Sequence, residues 1–169
     1  MIVSPQDRIS VDILLCTFRR PTVEVALRSL SRQSCRDRVN LRVIVADNDT
    51  IPSAQYLVES LRSKLDFNLI YLHAPEQNIS IARNACLEAA TADWIAFLDD
   101  DEIAPPDWIE ALLEEVTGAG TDEIFAPTKA VYDSKAPVWI VKGDYHSNIP
   151  VRRNGVVTTG HTCNALVRW

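Results

Sequence analysis

The chain has 169 residues, 47% hydrophobic and 24% charged, the balance of an ordinary globular domain that buries about two-thirds of its unfolded surface. A formal net charge of −6 excludes a broad electrostatic grip on nucleic acid, which depends on a basic face that displaces counterions. No apolar run reaches the length of a membrane span, and no basic-then-apolar leader pattern opens the sequence, so a cytoplasmic location is the default expectation.

Val11-Asp12-Ile13-Leu14-Leu15-Cys16-Thr17 reads as a buried strand, broken by Phe18-Arg19-Arg20-Pro21. Thr22 stands where it would cap a helix that presents Val23, Leu27 and Leu30 on one face. Leu41–Ala46 is a second strand and discharges into Asp47-Asn48-Asp49-Thr50. A helix over Ser53–Leu65 turns Ala54, Leu57, Val58, Leu61 and Leu65 inward, and Asn68–Leu72 is a third strand. An Ala-rich helix from near Asn78 to Ala90 leads into a fourth strand, Trp94–Leu98. Pro105-Pro106-Asp107 opens a helix with Ile109, Leu112, Leu113 and Val116 toward the core, since proline suits a first helical turn. Glu123–Pro127 is a fifth strand, and Val138–Val141 and Asn164–Val167 read as short strands in a less regular region. Strand–helix alternation over the first ~125 residues predicts an α/β fold with a largely parallel sheet and helices on both faces. Cys16, Cys35, Cys86 and Cys163 are widely spaced with no Cys-x-x-Cys, which reads as reduced thiols.

The stretch from Trp94 to Glu102 organises the rest. Its apolar strand ends in four consecutive acids, Asp99-Asp100-Asp101-Glu102. Adjacent carboxylates repel, and burying one without a partner is costly. A strand that leaves the core and delivers its acids into a cleft beside a hard divalent cation resolves that conflict; a solvated acidic turn is the plainer alternative. Ligands of open parallel sheets bind beyond the carboxyl ends of the strands. If strands one, two and four are neighbours, Thr17–Arg20, Asp47–Asp49 and Asp99–Glu102 line one crevice.

Only five glycines occur and none follows the first strand, so neither a Gly-x-Gly-x-x-Gly fingerprint nor a Walker A loop is present. Dinucleotide-dependent oxidoreductases, P-loop ATPases and sugar-nucleotide pyrophosphorylases are disfavoured on that ground. A phosphorylated ligand would then depend on a cation, on side chains such as Arg19, Arg20 or Arg83, and on helix N-termini.

Four segments together resemble the family 2 glycosyltransferases. They are Leu15-Cys16-Thr17-Phe18-Arg19-Arg20-Pro21, Val43–Thr50, Asn78-Ile79-Ser80-Ile81-Ala82-Arg83-Asn84-Ala85 and Ala96–Glu102, the last matching the family's Asp-x-Asp segment. The resemblance implies a GT-A fold, a Rossmann-like three-layer sandwich with a mostly parallel central sheet, with residues 1–169 forming one nucleotide-sugar-binding domain. It implies that Thr17, Phe18 and Arg19 border the nucleotide, and that Asp47 with Asn48 or Asp49 reads the polar edge of the base. Arg83 contacts the nucleotide or steadies the carboxylates, and Asp100 reaches the ribose. Asp101, with Asp99, ligates Mn²⁺ or Mg²⁺ on the diphosphate. The implied donor is a nucleotide-diphosphate sugar, a UDP-sugar first among them, and the acceptor a saccharide or lipid-linked saccharide. Cys16 replaces the family's usual proline, and Asp49 stands where glycine is usual.

An inverting transfer needs a carboxylate base on the acceptor side, and none is evident: Asp133 and Asp144 read as surface acids. Thr159–Arg168 resembles the stretch that precedes the family's acidic acceptor-side motif, so the base is expected beyond Trp169 and the chain is expected to be the donor-binding portion of a longer transferase. A nucleotide-sugar-binding module without turnover and a metal-dependent phosphohydrolase are the alternative readings.

Overall fold

A computed structural model describes residues 8–154 and 156–169. In chain order its elements are β1 (Ile9–Thr17), α1 (Val23–Leu30), β2 (Val39–Asp47), α2 (Gln55–Leu61), β3 (Asn68–His73), α3 (Ile79–Ala89) and β4 (Trp94–Leu98). They are followed by α4 (Trp108–Ala119), β5 (Glu123–Phe125), α5 (Val138–Gly143), β6 (Val151–Arg153), β7 (Val156–Thr159) and β8 (Asn164–Arg168).

Strands β1 and β2 are apolar on both faces, which requires cover on both sides. Val11, Ile13 and Leu15 of β1, with Val43 and Val45 of β2, meet Leu27 and Leu30 of α1, Val58 and Leu61 of α2, and Ile109 and Leu112 of α4. Leu14 of β1, Ile44 of β2 and Ile95 of β4 face the other way, against Ala82 and Cys86 of α3. The expected three layers result, with α3 on the second face.

The main sheet runs β3-β2-β1-β4-β8-β5. Strands β3, β2, β1 and β4 are parallel, as expected. The fifth strand does not join β4 directly. β8 lies antiparallel between them, pairing Trp94↔Arg168 through Leu98↔Asn164 on one side and Glu123↔Val167 through Phe125↔Ala165 on the other. The indole N–H of Trp108 donates to Asn164 Oδ1 at 2.8 Å and ties the start of α4 to this inserted strand.

Two local expectations are corrected. Val138–Val141 is helical: Pro137 fixes the entry, its carbonyl accepts from Ile140 N–H (2.9 Å) and Val141 N–H (3.2 Å), and Asp144 ends the turn at φ 45°. The β-branched and aromatic run suggested a strand, but the proline sets the first helical turn. Thr22 lies just before α1 but already has helical angles and makes no side-chain cap; its carbonyl accepts from Val25 N–H and Ala26 N–H. The four cysteines are free thiols.

Asp12 is buried in β1 opposite Arg42, whose guanidinium donates to both carboxylate oxygens, at 2.7 and 2.5 Å. The backbone N–H groups of Thr91 (2.8 Å) and Ala92 (3.1 Å) bind the same carboxylate and fix the turn entering β4. Burial raises its pKa, but these donors outweigh burial and leave it lowered.

Candidate active site at the ends of β1, β2 and β4

Because β2, β1 and β4 are neighbours, the loops at their carboxyl ends open together, as the strand pattern predicted. They enclose a cleft of about 540 Å³. Thr17, Phe18, Asn48, Arg83, Asp99, Asp100 and Asp101 all line it, joined by Cys16, Arg20, Gln77 and Ile79.

The acidic loop forms one wall. Asp100 is 5% exposed and accepts from Thr17 Oγ1 at 2.7 Å and from Arg20 Nη1 at 3.2 Å. Asp99 faces Arg83 across 3.6 Å. Glu102 turns back and accepts the backbone N–H of Asp99 at 3.0 Å, closing the loop on itself. Burial pushes the carboxyls of Asp99 and Asp100 above their ordinary range, against the pull of Arg83 on the first and of Thr17 and Arg20 on the second. Burial lifts Glu102 further, to about 7. Arg20 and Arg83 bring two positive charges to the three aspartates, so a cation that reaches this wall adds to their compensation.

Ligand atoms of Asp99, Glu102 and Cys163 lie within 4.8 Å of one another. Burial raises the Cys163 pKa, which keeps the sulfur protonated, and a soft thiol suits a hard ion poorly. The oxygens of the acidic loop fit Mg²⁺ or Mn²⁺, and the half-exposed carboxylate of Asp101 is open to the cleft.

Three expected residues do not line the cleft. Asp47 is completely buried, and its carboxylate accepts from Ala54 N–H (2.7 Å), Asp49 N–H (3.1 Å) and Tyr71 Oη (2.9 Å). It holds the approach to α2. Strand parity carries the reason: Val43, Val45 and Asp47 alternate onto the face that α1 and α2 cover. Asp49 is 1% exposed at its side chain and receives both arms of Arg19, at 2.7 and 2.8 Å. The Arg19 guanidinium is the chief cause that holds the Asp49 carboxyl down at about 2. Arg19 is left-handed at φ 55° and lies over the Phe18 ring at 5.1 Å, so the Arg19–Asp49 pair supports Phe18 from behind. Asp49 is not among the positive-φ residues, so this turn needs no glycine.

Asn48, by contrast, lines the cleft, and its Oδ1 accepts the backbone N–H of Asn78 at 2.9 Å. Asn78 caps α3 by accepting Ser80 N–H at 2.9 Å. The N-terminal end of α3 thus borders the cleft, with Ile79 and Arg83 on its wall, and favours negative charge there. Gln77, left-handed at φ 51°, lines the cleft without a signal in the sequence. The sequence did mark Arg20 as a cation for phosphate, but not as the partner of Asp100 and Asp101.

Residues 12–168 match the family described as Glycosyl transferase family 2. The chain belongs to this family. It is 48% identical over 164 residues to the succinoglycan biosynthesis protein ExoM of Rhizobium meliloti, covering 97% of this chain and 53% of that protein. The family 2 chain thus spans about half the length of that curated relative. Its fold is that of residues 1–349 of S. aureus TarS, with a TM-score of 0.69 at 17% identity over 95% of this chain and 47% of the other. TarS has also been solved with UDP-GlcNAc, matching with a TM-score of 0.62 at 19% identity over 79% of this chain and 38% of that one. The mannosyltransferase PcManGT of Pyrobaculum calidifontis, in complex with GDP-Man and Mn²⁺, matches with a TM-score of 0.64 at 20% identity, covering 73% of this chain and 36% of that one. These neighbours are GT-A glycosyltransferases, and the mixed α/β sandwich with a mostly parallel sheet is the GT-A fold. Among the described residues, no helix is long and apolar enough to cross a membrane.

Proposed function

We propose that residues 1–169 form the donor-binding portion of a glycosyltransferase that moves a sugar from a nucleotide-diphosphate donor, a UDP-sugar in the first place, to a saccharide or lipid-linked saccharide in polysaccharide assembly. The observation that carries the reading is the acidic wall facing Arg83 and the N-terminal end of α3 across one cleft. An anion-favouring wall opposite a cation-favouring wall suits a diphosphate with its divalent ion. The complexes of TarS with UDP-GlcNAc and of PcManGT with GDP-Man and Mn²⁺, and the likeness to ExoM, support it. The four free thiols suit a reducing cytoplasm.

In this reading the Phe18 ring, backed by Arg19 and Asp49, borders the nucleobase. Asn48 gives its Oδ1 to Asn78, and its amide N–H₂, without a partner among the described residues, can donate to a base carbonyl. Asp100, oriented by Thr17, accepts from the ribose hydroxyls. Asp101 and Asp99 hold Mn²⁺ or Mg²⁺, which when bound neutralises charge on the departing nucleoside diphosphate. Arg20, Arg83 and the end of α3 take the remaining phosphate charge. The acceptor-side base is left unassigned. The phosphohydrolase alternative gains no support, because among the described residues the acids come from one loop rather than from several strands around two ions.

A thermal-shift panel of UDP, GDP, ADP and CDP, each with and without Mn²⁺, tests the reading. Binding stabilises the folded chain by mass action, so UDP with Mn²⁺ should give the largest rise in melting temperature. Equal shifts for all four, or none, would contradict it.

A further inference from the structure

Arg20 lies in the turn after β1, its side chain half exposed, with one guanidinium nitrogen shared by two carboxylates of the acidic loop. The nitrogen is 3.2 Å from Asp100 Oδ1 and also forms an ion pair with Asp101 Oδ2. Asp100 is nearly buried and is held by Thr17 as well, whereas Asp101 is half exposed and Arg20 is its ion-pair partner among the described residues.

We infer that Arg20 competes with the divalent cation for Asp101 and thereby makes cation and nucleotide bind cooperatively. The inference rests on the reading of the cleft given above. Asp101 Oδ2 cannot be in bonding contact with a guanidinium N–H and a dication without bringing two positive charges within a few ångströms of each other. A cation arriving alone therefore works against the hold of Arg20 on its anionic partners. A diphosphate in the cleft offers Arg20 a replacement, because the planar guanidinium fork matches phosphate oxygens as well as it matches a carboxylate. Once Arg20 turns to the diphosphate, Asp101 is free for the cation, and each ligand strengthens the other by the same factor.

The test is a titration of free Mn²⁺ by electron paramagnetic resonance, with and without UDP, on the wild-type chain and on Arg20→Gln, Arg20→Lys and Arg28→Gln. Circular dichroism melts confirm that each variant is folded. In Arg20→Gln, Mn²⁺ alone should bind about 5-fold tighter or more, UDP alone should bind weaker by a similar factor, and the coupling between them should shrink; couplings of roughly 5-fold and above are typical of linked sites. Arg20→Lys keeps the charge and should leave Mn²⁺ alone near its wild-type affinity. Arg28→Gln removes the same charge from the exposed pair with Glu24 on α1, outside the cleft lining, and should change Mn²⁺ affinity by less than about 2-fold. Unchanged or weaker Mn²⁺ binding in Arg20→Gln, or an equal gain in Arg28→Gln, overturns the role of Arg20 while the cleft reading stands. Failure of the wild type to bind either Mn²⁺ or UDP overturns both.

Discussion

Thr17 donates its hydroxyl hydrogen to the buried carboxylate of Asp100 across 2.7 Å, fastening the end of β1 to the loop after β4 at the floor of the cleft. Thr17→Val keeps the shape of the side chain and removes this donor. Asp100 is then left with Arg20 as its side-chain partner in a site where burial already disfavours its charge. Losing a hydrogen bond to a buried charged group costs about 1.5–3 kcal/mol. Urea unfolding should show a loss of that size, and UDP affinity should fall with it.

Asn48 and Asn78 couple the loop after β2 to the start of α3. Asn78→Ala removes the helix cap and should destabilise the chain by about 1 kcal/mol, within the usual range for such caps. Asn48→Ala should weaken UDP binding more than it weakens the fold, since the residue both lines the cleft and holds the turn that presents Arg83. Comparing urea unfolding with UDP titration separates the two effects.

The Asp12–Arg42 pair gives a pH signature away from the cleft. Asp12 has a folded-state pKa lowered from 3.8. Its contribution is therefore complete above the unfolded-state value and is lost as pH falls through the lower folded-state value. Asp12→Ala should cost roughly 3 kcal/mol at pH 7, as expected when one partner of a buried pair is removed. The gap between wild type and variant in urea unfolding should close progressively below about pH 4.

Much of this was legible in the sequence because the signals were local. Buried strands ending in acids, and apolar positions at helical spacing, placed the four parallel strands, the first four helices and the cleft at the ends of β1, β2 and β4. Three things were not read. The insertion of β8 between β4 and β5 depends on pairing residues about seventy positions apart, Trp94 with Arg168, and no local pattern encodes that. The helix at Val138 was hidden because β-propensity and the effect of Pro137 pointed in opposite directions. The burial of Asp47 was encoded but overlooked: two-residue alternation from Val43 and Val45 already put it on the covered face, and the acid-rich company of Asn48 and Asp49 drew attention away from that parity.

The central claim is that the acidic loop holds a divalent cation on a nucleoside diphosphate. Isothermal titration of UDP into the wild-type chain and into Asp101→Ala, each with Mn²⁺ and with chelator, tests it most directly. Asp101 is half exposed, so its removal should leave the melting temperature almost unchanged. The account predicts that Mn²⁺ strengthens UDP binding to the wild type by about 10-fold or more, a typical allosteric or bridging coupling, and that this gain disappears in Asp101→Ala. UDP affinity that is the same with Mn²⁺ as with chelator in the wild type, or a gain that survives in Asp101→Ala, would contradict it.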